Sequence, residues 1–110
     1  MIKITITRYL NNKTNLRIIG HADYAEAGSD IVCAAVSALV INAINSIETM
    51  TEVGISGQVS DSDEGLIDFS FDDGDHDADV LFRSLEMGLS MIEEEYSDYI
   101  SIIRKEVTSC

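Results

Sequence analysis

The chain lacks proline and tryptophan, and only 2 of its 110 residues are cysteines. The cysteines do not have the spacing of a zinc site, and neither of the glycine-rich motifs that bind nucleotide phosphates, GxGxxG and GxxxxGK[ST], is present. These absences exclude the common zinc-binding and nucleotide-binding classes. Without a proline-rich or low-complexity linker, the composition is that of a single compact domain covering residues 1–110.

Basic residues are scarce as well. The sequence has 7 lysines and arginines against 20 aspartates and glutamates, which gives a formal net charge of −13. Because an acidic surface repels a phosphate backbone, we expect no direct contact with nucleic acid and instead a basic protein partner. The alternative is that the acidity only keeps the protein soluble.

Long hydrophobic runs are missing too. The longest apolar stretch, Ile31 to Ile41, is interrupted by Ser37 and is shorter than the roughly 20 residues that a membrane span requires. The N-terminal residues alternate between polar and apolar and do not resemble a signal peptide. We therefore expect no membrane contact and a cytoplasmic location, where a disulfide between Cys33 and Cys110 is disfavoured.

The periodicity of apolar residues predicts an α+β fold in the order β-β-α-β-β-α-β, a single layered domain with two helices packed on one sheet. The helix at 31–50 is apolar almost all round, so a second helix or a partner subunit must cover part of it, and a homodimer is expected. The second helix carries an apolar stripe, with Met87 and Met91 as core filler. The predicted strands cover 2–7, 16–20, 55–60, 67–71 and 99–107, and the second helix covers 79–96.

An acidic segment precedes the second helix. Carboxylates recur at every second position from Asp73 to Asp79, as in a calcium-binding EF-hand loop. However, Ala78 and Ser84 occupy positions where that loop needs glycine and glutamate. We therefore expect no metal site, and expect the acidic residues to favour the start of the following helix.

A histidine and a cysteine flank the start of the first helix. His21 follows the second predicted strand, and Cys33 lies in the first helical turn, where Asp30 or Ser29 is the expected N-cap. The positive end of the helix dipole and the open N–H groups of that turn favour the thiolate of Cys33. A loop that folds back would bring the imidazole of His21 to the same place.

These groups suffice for peptide-bond cleavage by a thiol, without a cofactor. Cys33 would attack the scissile carbonyl, His21 would take and return the proton, and N–H groups at the helix start would stabilise the oxyanion. Asp30 either orients His21 or only caps the helix, and Ser37 would bond the thiolate or a backbone carbonyl. The competing interpretation is that Cys33 is a small core residue, since cysteine is among the most buried residue types.

The segments Gly20–His21–Ala22, Gly28 and DIVCAAVSAL at 30–39 together resemble the signature of the bacterial ribosomal-processing cysteine protease family, Prp. This resemblance implies a dimeric α+β fold and a protease that cuts a short N-terminal extension, next to aromatic residues, from a large-subunit ribosomal protein needed for ribosome assembly. Such a basic substrate agrees with the acidic composition.

The resemblance also implies individual roles. Cys33 corresponds to the family's nucleophile and His21 to its base, while the supporting positions are Gly20, Asp30 and Ser37. The loop between them is expected to be mobile; it contains Ala22, Asp23 and Gly28, and Asp23 stands where a small residue is usual in the family.

Two other functions compete with the protease hypothesis. In the first, the chain is a non-catalytic, ribosome-associated binding module in which Cys33 is inert. In the second, it is a thiol redox protein with Cys110 as the resolving partner, although the lack of a CxxC motif disfavours this.

Overall fold

A computed structural model describes residues 1–20, 30–60 and 66–107 of the chain. The predicted α+β order is confirmed, with five strands and two helices. The elements are β1 (Ile2–Tyr9), β2 (Lys13–Ile19), α1 (Ile31–Met50), β3 (Ile55–Ser60), β4 (Leu66–Asp72), α2 (His76–Glu95) and β5 (Ile100–Val107).

The five strands form one sheet in the order β3-β4-β2-β1-β5. The first hairpin joins β1 and β2 antiparallel, with Ile4 opposite Ile18, and β4 pairs antiparallel with both β2 and β3. The last strand, β5, pairs parallel with β1. In the described part of the chain, β3 and β5 are therefore the edge strands. The pairing of β1 with β5 joins the two ends of the sequence in one sheet.

The core lies between one face of the sheet and the two helices. Alternation in β1 buries Ile2, Ile4 and Ile6 on that face, as the period of a strand dictates. The ring of Phe82 from α2 is fully buried, with its centroid 6.4 Å from that of Phe69 and 5.1 Å from that of Phe71. This aromatic cluster fixes α2 on β4.

Helix α1 has the predicted bounds. Five of its 20 residues are buried, and it is long and apolar enough to cross a membrane by length and composition, a test that a core helix of a soluble protein also passes. Its buried positions are Val32, Val36, Val40, Ala43 and Ile47.

Helix α2 begins at His76, three residues earlier than predicted. The carboxylate of Asp75 accepts the N–H of Ala78 at 2.9 Å, which caps the helix, and Asp77 and Asp79 lie in its first turn, where the helix dipole favours negative charge. The prediction for Met87 and Met91 is wrong, because both side chains are more than 60 % exposed on the solvent face of α2.

The acidic residues before α2 have structural partners. Asp72 accepts the N–H of Gly74 at 2.8 Å, and Asp73 accepts the hydroxyl of the buried Thr14 at 2.5 Å. Within the described ranges there is no group of three or more histidine, cysteine, aspartate or glutamate residues that could hold a metal ion. These carboxylates therefore fix the connection between β4 and α2.

Candidate active site

The start of α1 lies at the end of the sheet where β2 ends. At the other end of the molecule, Glu52 and Gly54, which follow α1, line one cleft with Asn12 in the turn between β1 and β2. A helix of 20 residues is about 30 Å long. Its first turn is therefore placed toward the opposite edge of the fold, together with Gly20 and Met1.

Asp30 builds the first turn of α1. As the N-cap, its Oδ1 atom accepts the backbone N–H groups of both Val32 and Cys33 at 3.0 Å, and its carbonyl oxygen accepts the N–H of Ala34 at 3.1 Å. The predicted capping role of Asp30 is thereby confirmed. Because these three amides are already bonded to Asp30, the expectation that the open N–H groups of this turn stabilise an oxyanion does not hold for them in this structure.

Cys33 occupies the third position of α1. Its side chain is half-buried and packs at the margin of the hydrophobic core. Ser37 follows one helical turn later on the same side and is also half-buried. A half-buried thiol in the first turn of a helix is partly open to a substrate and feels the helix dipole, which a sealed core cysteine would not allow.

Gly20 ends β2 in a conformation that other residues rarely adopt. Its φ is +95°, and a Cβ atom at this position would lie 2.5 Å from the carbonyl oxygen of Met1. Both the backbone angle and the lack of space require glycine. Because His21 follows directly in the chain, a substitution of Gly20 would change the direction in which the chain continues toward the histidine.

Several predicted site residues lie outside the described ranges. They are the proposed base His21 and the expected loop residues Ala22, Asp23 and Gly28, as well as Cys110. The structure thus places Asp30, Cys33 and Ser37 in the cap and first two turns of α1 and Gly20 at the end of β2, and the pairing of Cys33 with His21 stays a prediction.

Comparison with known proteins gives a consistent result. A family model described as cysteine protease Prp matches residues 1–101 of the chain. The ribosomal processing cysteine protease Prp of Staphylococcus aureus (strain Mu50 / ATCC 700699) is 32% identical over 103 residues, which cover 93% of this chain and 97% of that protein.

Two crystal structures of Prp from S. aureus, an essential ribosomal processing protease, share this fold. The complex with a covalently linked product peptide superposes with a TM-score of 0.87 at 32% identity, covering 96% of this chain and 100% of that one. The complex with a substrate peptide gives a TM-score of 0.81 at 31% identity, with the same coverage.

Proposed function

Because the chain belongs to the Prp family of cysteine proteases, we propose that it removes a short N-terminal extension from a large-subunit ribosomal protein, with Cys33 as nucleophile and His21 as base. One observation carries this proposal. Cys33 is a half-buried thiol at the capped start of α1, at the end of the sheet from which the chain continues to His21.

The mechanism follows from the chemistry of a thiol. The Cys33 thiolate attacks the scissile carbonyl carbon, and the imidazolium of His21 gives its proton to the departing amine. Water, deprotonated by the same imidazole, then attacks the acyl-enzyme, which releases the new carboxyl terminus and restores the Cys33 thiolate and the His21 imidazolium. Asp30 is a positioning residue in this scheme, because its carboxylate holds the amide of Cys33 and fixes the first turn.

The oxyanion needs a donor that the capped turn does not supply directly. Since Asp30 already accepts the amides of Val32 and Cys33, either the substrate draws one of these amides away from the carboxylate or another group donates. In the first case, the carboxylate of Asp30 occupies the anion site until substrate arrives. This would restrain hydrolysis of unrelated peptides.

The substrate is proposed to be basic. The chain carries a net charge of −13, and complementary charge increases the rate at which a cationic protein meets the site while disfavouring free nucleic acid. A ribosomal protein also places the reaction in the cytoplasm, and we propose no membrane partner because the core face of α1 packs against the sheet.

We also propose that the protein is a homodimer. The outer face of α1 is apolar, with Ile31 and Ile41 each 52 % exposed and three exposed alanines, Ala34, Ala35 and Ala38, on the same side. Small and apolar residues on one helix face allow close approach of a second copy. The face begins with Ile31 in the same helical turn as Cys33, so dimerisation would also support the turn that holds the nucleophile.

The test is co-incubation with the ribosomal protein bearing its extension, followed by measurement of its mass. The wild-type protein and Cys110→Ser should both shorten the substrate, whereas Cys33→Ala should leave it intact. Normal cleavage by Cys33→Ala would refute the protease mechanism. Binding of the ribosomal protein without cleavage by the wild type would instead favour the non-catalytic binding module. Cleavage that depends on Cys33 but is unchanged in Cys110→Ser would exclude the redox protein.

A further inference from the structure

A cleft lies between α1 and the hairpin of β3 and β4. It encloses about 170 Å³ and is mainly apolar at its base. Ile44 and Glu48 of α1 form one wall, and Ile55, Gly57, Ile67 and Phe69 of the strands form the other. Glu48 is exposed at the mouth, while Phe69 is buried at the floor.

The cleft lies on the same side of α1 as Cys33. Ile44 follows Cys33 by 11 residues, which is close to three helical turns, so the two side chains leave the helix in nearly the same direction. Leu39 projects to the other side and lies against Gly88 of α2. A substrate bound at Cys33 can therefore extend along this side of α1 without meeting α2.

Gly57, which lines the cleft, allows its two strands to lie close together. Its φ is +154°, and a Cβ atom there would overlap the backbone of Asp68 and Phe69 on β4. Only glycine allows β3 to approach β4 this closely. Gly57 therefore contributes only backbone atoms to this wall of the cleft.

We propose that this cleft is a subsite of the protease for an apolar side chain of the substrate, about five residues from the scissile bond; this rests on the proposed function. The spacing follows from geometry, since Ile44 is about 16 Å from Cys33 along the helix axis and an extended peptide covers about 3.3 Å per residue. The size also fits, because an apolar cavity of about 150 Å³ accommodates benzene.

The surroundings of the cleft suit an extended basic peptide. Strand β3 is an edge of the sheet within the described ranges, and an edge strand offers backbone N–H and C=O groups to an added strand. The carboxylate of Glu48 at the mouth is complementary to a lysine or arginine next to the apolar residue. An apolar anchor flanked by a basic residue is therefore the chemistry that the cleft selects.

The experiment measures kcat/KM for a 12-residue peptide spanning the cleavage point and for its single-alanine variants. In the wild type, removing the apolar side chain about five residues from the cut should lower kcat/KM by at least about tenfold. Ile44→Phe fills the cleft and should abolish this difference. Ile44→Ala enlarges the cleft and should move the preference toward a larger side chain.

Two further variants complete the design. Ser84→Phe places the same aromatic ring on the exposed face of α2 and should leave the preference unchanged. Glu48→Lys changes only an exposed charge and should lower kcat/KM several-fold for peptides with a basic neighbour, but not for those with a neutral one.

The outcomes separate the two proposals. If cleavage depends on Cys33 but the preferences are the same in the wild type and in all the Ile44 and Glu48 variants, the subsite is refuted and the protease stands. If the wild type cleaves neither the peptide nor the ribosomal protein, the proposed function fails and the subsite fails with it.

Discussion

The two helices have equal length and both bury an apolar face against the same sheet, but their charged contacts differ. Helix α2 has charged contacts with the sheet in addition to its buried face: Glu86 accepts hydrogen bonds from Arg8 at 2.9 Å and from Arg104 at 2.6 Å. The guanidinium of Arg8 also lies 5.6 Å from the ring centroid of Phe82. Helix α1 has no ion pair among the described residues and is held by apolar burial and the Asp30 cap.

This difference corresponds to two roles: α2 stabilises the fold, and α1 carries the reactive thiol. The first turn of α2 carries Asp77 and Asp79, which satisfy the helix dipole permanently. The first turn of α1 has no acidic residue after its cap and presents the thiol of Cys33 instead. A helix whose dipole is left for a reactive group must gain its stability elsewhere, and α1 does so through its buried face and a proposed partner.

The largest loss of stability is expected when the aromatic ring that packs α2 against the sheet is removed. Phe82→Ala should lower the free energy of unfolding by about 3–5 kcal/mol, because the buried ring packs against Phe69 and Phe71 and leaves a cavity. Urea denaturation measures the loss. A change of less than about 1 kcal/mol would show that the aromatic cluster does not fix the helix.

The next comparison concerns the outer faces of the helices. Ile41→Asp on α1 should weaken the proposed dimer by at least about 100-fold in Kd, because it places an unpaired charge in an apolar interface. Sedimentation analysis reports the mass. Met87→Asp, on the equally exposed face of α2, is the control and should leave the mass unchanged; if it dissociates the dimer and Ile41→Asp does not, the interface has been placed on the wrong helix.

The two N-caps provide a matched pair. Asp30→Ala and Asp75→Ala each remove a cap and should each cost about 1 kcal/mol of stability. Only Asp30→Ala should lower kcat for cleavage, by at least about tenfold, because Asp30 positions the amide of Cys33.

Asp30→Asn distinguishes capping from charge, since asparagine caps a helix as well as aspartate. It should restore the stability, and it should restore activity as well if Asp30 acts only through the cap. Equal kcat losses in Asp30→Ala and Asp75→Ala would contradict the assignment of the reactive group to α1 and of a purely structural role to α2.

The smallest effect is expected at the charged network. Glu86→Gln keeps the shape but weakens the links to Arg8 and Arg104, which are 32 % and 50 % exposed, so the loss should be about 1 kcal/mol or less. The difference between wild type and variant should shrink as salt is raised. Thermal melting at low and high salt measures it, and a loss independent of salt would indicate packing rather than charge.

Local patterns were sufficient to predict most of the fold. The alternation of apolar residues predicts β1, and the Asp30 cap followed by an apolar run predicts α1; both agree with the structure. Strand β2 was expected at 16–20 but covers Lys13–Ile19. The polar Lys13–Asn15 segment pairs on both sides, whereas Gly20 has left the strand with a positive φ.

The prediction is wrong where tertiary contacts determine which face of a helix is buried. Met87 and Met91 are apolar but lie on the face of α2 turned away from the core, and Phe82 occupies the buried position instead. At the site, the sequence predicted the cap and the position of Cys33. It could not show that Asp30 bonds the amide of Cys33, nor that Ile44, three turns further along the same side of the helix, lines a cleft.

The central claim is that the thiol of Cys33 is activated by His21 at the start of α1. Its most direct test is the rate of iodoacetamide labelling of Cys33 near neutral pH, followed by mass spectrometry in Cys110→Ser and in Cys110→Ser with His21→Ala. The account predicts rapid labelling that slows by at least about tenfold when the imidazole is removed. Slow labelling at the same rate in both proteins would contradict it.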